Sequence, residues 1–274
     1  MEVNNSAVMA VRDKKGRIDT GVEGAGHFLT WFFTGMGLLT VLSLYLLQVD
    51  WVRLASRMGD MGLIFWKMGH FTLDHFDFTL LSFADTFSIM VLATVYSIFG
   101  GLVFGLLAAE NVVENQWISA GIKGFFTFLR AVPTPVWVLL TLVCFGFGPV
   151  AGITGLSVHT TAFFTKAFSQ AFEDVPKDTV DALKALGASK LDIIFCAILP
   201  CAATQLIAWI ALRFEINFSE CAILGMVGAG GIGFAISTSI QNYKYGEAGL
   251  AIFMVFFFAF LMERGFIYVK QAIK

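Results

Sequence analysis

Residues 173–200 read EDVPKDTVDALKALGASKLDIIFCAILP, and this is the one densely charged run in an otherwise greasy chain. Counting Lys166, nine acidic or basic residues lie between that position and Asp192, whereas none occurs between Arg130 and Lys166. A run of this kind cannot rest in hydrocarbon, so it marks water between membrane crossings. Its pattern is helix, break, helix. Pro176 suits a first turn, Val180, Leu183 and Leu186 recur at helical spacing, and Gly187 suits a left-handed C-cap. Ser189 and Asp192 then have the spacing of a capping box for a second helix that runs toward Pro200.

Composition extends the membrane reading to the whole chain. It is 57% hydrophobic and only 14% charged, with a mean hydropathy of +0.78, where a soluble domain carries about a quarter charged residues. A net charge of −2 gives no nucleic-acid footprint. Thirty Phe and six Trp suit a membrane body with aromatic interface belts. Cys144, Cys196, Cys201 and Cys221 sit singly in apolar segments without metal-ligand spacing, and read as buried small hydrophobes.

Outward from the loop, apolar runs predict an all-α polytopic membrane protein of about six crossings. Residues 1–27 form a polar tail with Arg12, Lys14, Lys15 and Arg17, and the first crossing follows at 28–47. No small-residue cleavage site follows it, so it reads as an uncleaved crossing with the tail in the cytoplasm. Residues 48–82 mix Trp51 and Trp66 with Arg53, Arg57, Asp60, Lys67, Asp74 and Asp77, an interfacial, partly helical pattern on the outer face. His70 and His75 there lack the tight spacing of a metal pair and read as solvated loop residues. Residues 83–274 form the main transmembrane domain, with the charged loop at about 170–198.

Within that domain the second crossing spans about 85–109, where Gly101 and Gly105 make a Gly-x-x-x-Gly pair suited to close helix approach. Glu110, Asn111, Glu114 and Asn115 mark an aqueous turn. The third crossing, about 125–147, should kink at Pro133 and Pro135. A fourth runs from Pro149 to about Phe168 with His159 at its middle, where the ordinary role is a hydrogen bond to a neighbouring helix. The fifth covers about 199–218 and carries Arg213 and Glu215, too close in sequence to share a face, so each needs its own partner. Residues 221–243 contain Gly225, Gly228, Gly230, Gly231 and Gly233, too many for a stable spanning helix, and predict a broken, partly re-entrant segment. The last crossing is about 247–268. Six crossings place both termini and the charged loop on the cytoplasmic side, with Lys166, Lys177, Lys184 and Lys190 in that loop.

No Walker motif, nucleophile–base pair, paired carboxylates or metal cluster is visible, so the chain itself offers no catalytic residues and no cofactor site. A secondary transporter with broken helices would show an internal repeat, and no convincing one is visible between the halves.

Several stretches, taken together, resemble the permeases of ABC importers. Asp181-Ala182-Leu183, Gly187-Ala188-Ser189 and Leu199-Pro200 are similar to the "EAA" loop of that family, with Asp-Ala-Leu standing where Glu-Ala-Ala is usual. Arg130-Ala131-Val132-Pro133, Gly148-Pro149, Leu156 with His159-Thr160, Arg213-Phe214-Glu215-Ile216-Asn217 and Val227-Gly228-Ala229-Gly230-Gly231-Ile232-Gly233 occur in order. They resemble the phosphonate/phosphite branch of the binding-protein-dependent importers, whose fold is that of the methionine importer. The match covers roughly 83–270. Thr134 and Pro135 stand where that branch tends to have an acid, and Ser219-Glu220 where many relatives carry Arg-Ala.

The resemblance implies an inner-membrane permease working as a homodimer. Two ATP-binding subunits would lie below it, with ATP and Mg bound there, and a substrate-binding protein above. It implies a coupling element at Pro176, Asp181, Ala182, Leu183, Gly187, Ala188 and Ser189, and a gate at Gly228, Gly230, Gly231 and Gly233. For an oxyanion such as phosphonate, phosphite or a phosphate ester, the path residues would be Arg130, His159, Arg213, Glu215 and Asn217. Importers of methionine- or betaine-type solutes share the loop and a Gly-rich stretch, and form the alternative.

Overall fold

The computed structural model describes residues 25–113 and 115–272. The basic tail, Glu114 and Lys274 lie outside the described residues. Among those described, every element is a helix. They fall into two compact units that divide between Met61 and Gly62.

The first unit holds α1 (Ala25–Leu47) and the start of α2 (Trp51–Gly69). No residue in the membrane-length window of α1 is buried. The α2 helix begins where Asp50 Oδ1 accepts a hydrogen bond from Arg53 N at 2.9 Å, the usual service of an N-cap aspartate.

The second unit is built around α3 (Phe76–Ala108) and α6 (Pro149–Glu173). The glycines of α3 explain their contact. A Cβ at Gly100 would meet Thr161 Cγ2 at 2.8 Å, one at Gly101 would overlap Phe164, and one at Gly105 would meet Phe168 Cβ at 3.0 Å. The Gly-x-x-x-Gly pair therefore serves as expected, letting α6 lie directly on the α3 backbone. Phe164, Phe168 and Phe172 of α6 are fully buried as a result. Compared with the sequence expectation, α3 starts nine residues early and takes in the last part of the interfacial segment, while α6 runs five residues further, to Glu173.

The proline pair does more than kink a helix. α4 (Gln116–Ala131) and α5 (Thr134–Phe145) are separate helices bent by 87°. Val132 is extended (φ −82°, ψ 125°), as a residue before proline prefers, and Pro135 sits in the first turn of α5, where its missing N–H costs nothing. Trp137 Nε1 donates to Leu129 O at 3.0 Å and so satisfies one carbonyl freed at the break.

After the charged loop, with α7 (Lys177–Ala185), a 40-residue α8 (Lys190–Ala229), helical without interruption as far as a kink at Gly228, replaces the expected separate second helix and fifth crossing. It contains two π-helical turns, Ile194–Ile198 and Gly225–Ala229. Pro200 lies inside it rather than at its end, and the π turn just before accommodates the missing hydrogen bond. The chain then breaks at Gly228 (φ +117°), Gly230 and Gly231 before α9 (Gly231–Gln241) and α10 (Tyr245–Ala272).

Four described helices, α1, α3, α8 and α10, are long and apolar enough to cross a membrane, and the bent α4–α5 pair makes a fifth. The expected fourth crossing, α6, is 25 residues long but is not among them. It is enclosed by α3, α4, α5 and α8, and a helix shielded by protein can carry the Thr, Ser and His residues that lipid would exclude. The cysteine expectation needs correction: Cys144, Cys196 and Cys201 are exposed, and only Cys221 is buried. A lone cysteine on a lipid-type face costs little, so an apolar neighbourhood in sequence did not imply the core.

Candidate functional site

The helical interior holds one connected polar network. Arg213 on α8 is 4% exposed, and its Nη2 donates to Glu220 Oε2 at 3.1 Å and Thr160 Oγ1 at 3.3 Å, and lies 3.1 Å from His159 Nδ1. Thr160 Oγ1 donates in turn to Asn217 Oδ1 at 3.0 Å, and Asn217 Nδ2 donates to Thr94 Oγ1 on α3 at 2.9 Å. Three helices, α3, α6 and α8, are thus tied by side chains that hydrocarbon would not tolerate unpaired. The guanidinium of Arg213 lies 5.4 Å from the ring centre of Phe163, and that of Arg130 lies 5.6 Å from the same ring. Arg213 Nε is buried and has no partner among the described residues.

Of the expected path residues, Arg130, His159, Arg213 and Asn217 gather here. Glu215 is half-buried and bonds no described side chain. Arg213 finds its acid on its own helix, at Glu220, because residues seven apart fall on one face. Thr94 and Phe163 were not singled out from the sequence, since nothing short of the fold brings α3 and Phe163 to that arginine.

The glycine break packs against the turn before α6 and against α3. Gly148 N donates to Gly228 O at 3.1 Å, a Cβ at Gly228 would meet Phe147 Cδ1 at 2.5 Å, and Ile232 N donates to Thr86 Oγ1 at 2.7 Å. Gly230 and Gly231 take φ of +81° and +73°. Gly233 keeps ordinary helical φ but packs on the Ala222 carbonyl too closely for a side chain. α9, at 11 residues or roughly 16 Å, is too short to span a bilayer alone.

The loop is assembled by local motifs. Gly187 (φ +79°) completes a Schellman motif, with Gly187 N bonded to Lys184 O at 2.9 Å and Ala188 N to Leu183 O at 3.1 Å. Ser189 and Asp192 form a reciprocal capping box, Asp192 N to Ser189 Oγ at 3.3 Å and Ser189 N to Asp192 Oδ2 at 3.0 Å. Pro176 occupies the N-cap of α7 rather than its first turn. Val180 is buried and Leu183 half-buried, but Leu186 is 83% exposed. The helix ends at Ala185, so Leu186 leaves the face its spacing had given it. Asp181 and Ala182 point to solvent, with Lys184 Nζ 3.7 Å from Asp181 Oδ1.

A second cation holds the base of the loop. Lys123 Nζ bridges Glu110 Oε1 and Glu173 Oε1, each at 2.8 Å, and Glu173 Oε1 also accepts from Glu110 N at 2.9 Å. Asn111 Nδ2 donates to Phe172 O at 2.6 Å. The Lys123 ammonium holds the exposed Glu110 carboxyl below its ordinary pKa, by hydrogen bond and then by charge. At the far end of the domain, Trp66, Lys67, His70, His75, Tyr243, Lys244 and Glu247 are among the residues lining an open pocket of about 480 Å³. His75 Nε2 lies 3.9 Å from Glu247 there.

Known proteins resemble this chain in sequence and in fold. The chain is 29% identical over 181 residues to the phosphate-import permease protein PhnE of Mycolicibacterium smegmatis, covering 66% of this chain and 34% of that one. It is 29% identical over 171 residues to the phosphite transport system permease protein PtxC of Stutzerimonas stutzeri, covering 62% of each. It therefore spans about a third of the first relative and three-fifths of the second. In fold it matches the inward-facing MetNI methionine ABC transporter with a TM-score of 0.65 at 19% identity, covering 72% of this chain and 97% of that one. The family model for binding-protein-dependent transport system inner membrane components matches residues 101–267, and the chain belongs to that family.

Proposed function

We propose that this chain is the membrane-spanning permease subunit of an ATP-driven importer for a phosphorus oxyanion: phosphonate, phosphite or a phosphate ester. The observation that carries the substrate class is the interior cation Arg213, with His159 and Arg130 beside it, in a chain whose relatives are named for phosphate and phosphite. The chain provides the path. A homodimer, two ATP-binding subunits holding ATP and Mg, and an extracytoplasmic binding protein complete the assembly. Both termini and the charged loop face the cytoplasm.

In this reading Pro176, Asp181, Ala182, Leu183, Gly187, Ala188 and Ser189 form the coupling element, and the exposed Leu186 is its contact with the ATPase. Closure of the ATPases moves α7, and the long α8 carries that motion from Lys190 into the membrane as far as the kink at Gly228. The break at Gly228, Gly230, Gly231 and Gly233 lies at the end of that lever and acts as the gate. The tail, to about residue 27, and the outer segment, up to the start of α3 at Phe76, stand apart from this machinery.

A second reading, a zwitterionic amino acid or betaine, is favoured by one observation: Glu220 already neutralises Arg213, leaving an acid and a base side by side. Reconstitution with the partner subunits in proteoliposomes separates the two. ATP-dependent uptake of methylphosphonate, phosphite or phosphate supports the first, and uptake of methionine or glycine betaine alone overturns it.

A further inference from the structure

We propose that Glu220 is an exchangeable counter-ion, occupying Arg213 while the path is empty and yielding it to an incoming oxyanion. The inference rests on the oxyanion reading above.

Three observations support it. First, Glu220 lies on the accessible side of the pair. Its side chain is 24% exposed against 4% for Arg213, so of the two it is the carboxylate that an incoming anion meets first.

Second, the arginine fork is half used. Glu220, Thr160 and His159 all meet the single atom Nη2, while Nε is buried and without a partner among the described residues. Nε and Nη2 together are a donor pair that suits two oxygens of one carboxylate or phosphoryl group. Glu220, reaching back seven residues along its own helix, engages one of them. A tetrahedral or pyramidal oxyanion, free of that tether, satisfies both.

Third, the surroundings carry spare positive charge. Arg130 and Arg213 both lie over one ring, Phe163, and no described carboxylate pairs with Arg130. Two arginines against one glutamate leave one net positive charge, enough to hold an anion loosely.

The arrangement solves a problem specific to a transport path. A bare buried arginine would be costly to desolvate, and one with no competitor would hold the anion too tightly to release it. An internal carboxylate offsets both.

The test is binding of methylphosphonate and inorganic phosphate to the purified full-length chain in nanodiscs, by calorimetry. Glu220→Gln keeps the hydrogen bond but removes the competing charge, and is expected to lower Kd roughly tenfold relative to wild type. Arg213→Gln combined with Glu220→Gln is expected to abolish that gain. A structural ion pair would behave in the opposite way, so an unchanged or raised Kd in folded Glu220→Gln overturns the proposal. Should that variant not fold, Glu220→Asp keeps the charge on a shorter arm; a several-fold tighter anion supports exchange and an unchanged Kd overturns it. Uptake of a zwitterion alone by the wild-type complex defeats the oxyanion reading, and the exchange with it. Uptake of oxyanion with unchanged Kd in the variants defeats the exchange alone.

Discussion

Two cations organise this molecule, and each is shared between neighbouring groups, yet their settings are opposite. Arg213 is buried among α3, α6 and α8, with only its partner Glu220 partly exposed, and its partners form a chain that ends on Thr94. Lys123 bridges two carboxylates at the aqueous turn, where the side chains of Lys123 and Glu173 are each 30% exposed and that of Glu110 is 58% exposed. Water can replace what Lys123 provides and cannot replace what Arg213 provides. The same kind of contact is therefore decisive in one place and modest in the other. The interior network fixes how helices meet, while the clamp sets only where the loop begins.

The largest effect should come from stripping the buried cation of its acid. Glu220→Ala is expected to cost about 3–5 kcal/mol, because it leaves a desolvated guanidinium without compensation. Thermal unfolding in detergent measures this, and a loss below about 1 kcal/mol would mean that water already reaches Arg213. Thr160→Val comes next. It removes the hydroxyl that both receives from Arg213 and donates to Asn217, for an expected loss of about 1–3 kcal/mol. A neutral result would show that the two halves of the network are independent. Lys123→Ala should cost less than about 1 kcal/mol, and the difference from wild type should shrink further in high salt. A salt-independent loss comparable with that of Glu220→Ala would erase the contrast between the regions.

The contrast also explains which features could be read from sequence. Gly187, Ser189 and Asp192 act on neighbours within a few residues, so their spacing foretold a left-handed C-cap and a capping box. Gly101 and Gly105 foretold a close helix contact, but not that α6 would be the partner. Pro133 and Pro135 announced a disturbance, whereas an 87° break depends on where α5 finds its packing on α6. Long-range pairings stayed hidden. Glu220 was visible as an unusual acid, yet its place beside Arg213 needed a helix that continues unbroken from 213 to 220. Phe163 and Thr94 carried no signal, because each is an ordinary apolar or small polar residue until the helices assemble. The exposure of Leu186 was missed for a local reason: three leucine-like positions at helical spacing suggest one face, and the last of them falls after the helix has ended.

The central claim is that the charged loop transmits work from a separate ATPase into the path. Its most direct test is the ratio of solute imported to ATP hydrolysed in proteoliposomes containing the complete transporter, with wild type set against Gly187→Leu. A Cβ at this position meets nothing within 4 Å, so the substitution leaves the core untouched and strains only the φ of +79° in the turn. The variant is expected to insert and fold, its partner still to hydrolyse ATP, and import per ATP to fall at least severalfold. An unchanged ratio would contradict the claim.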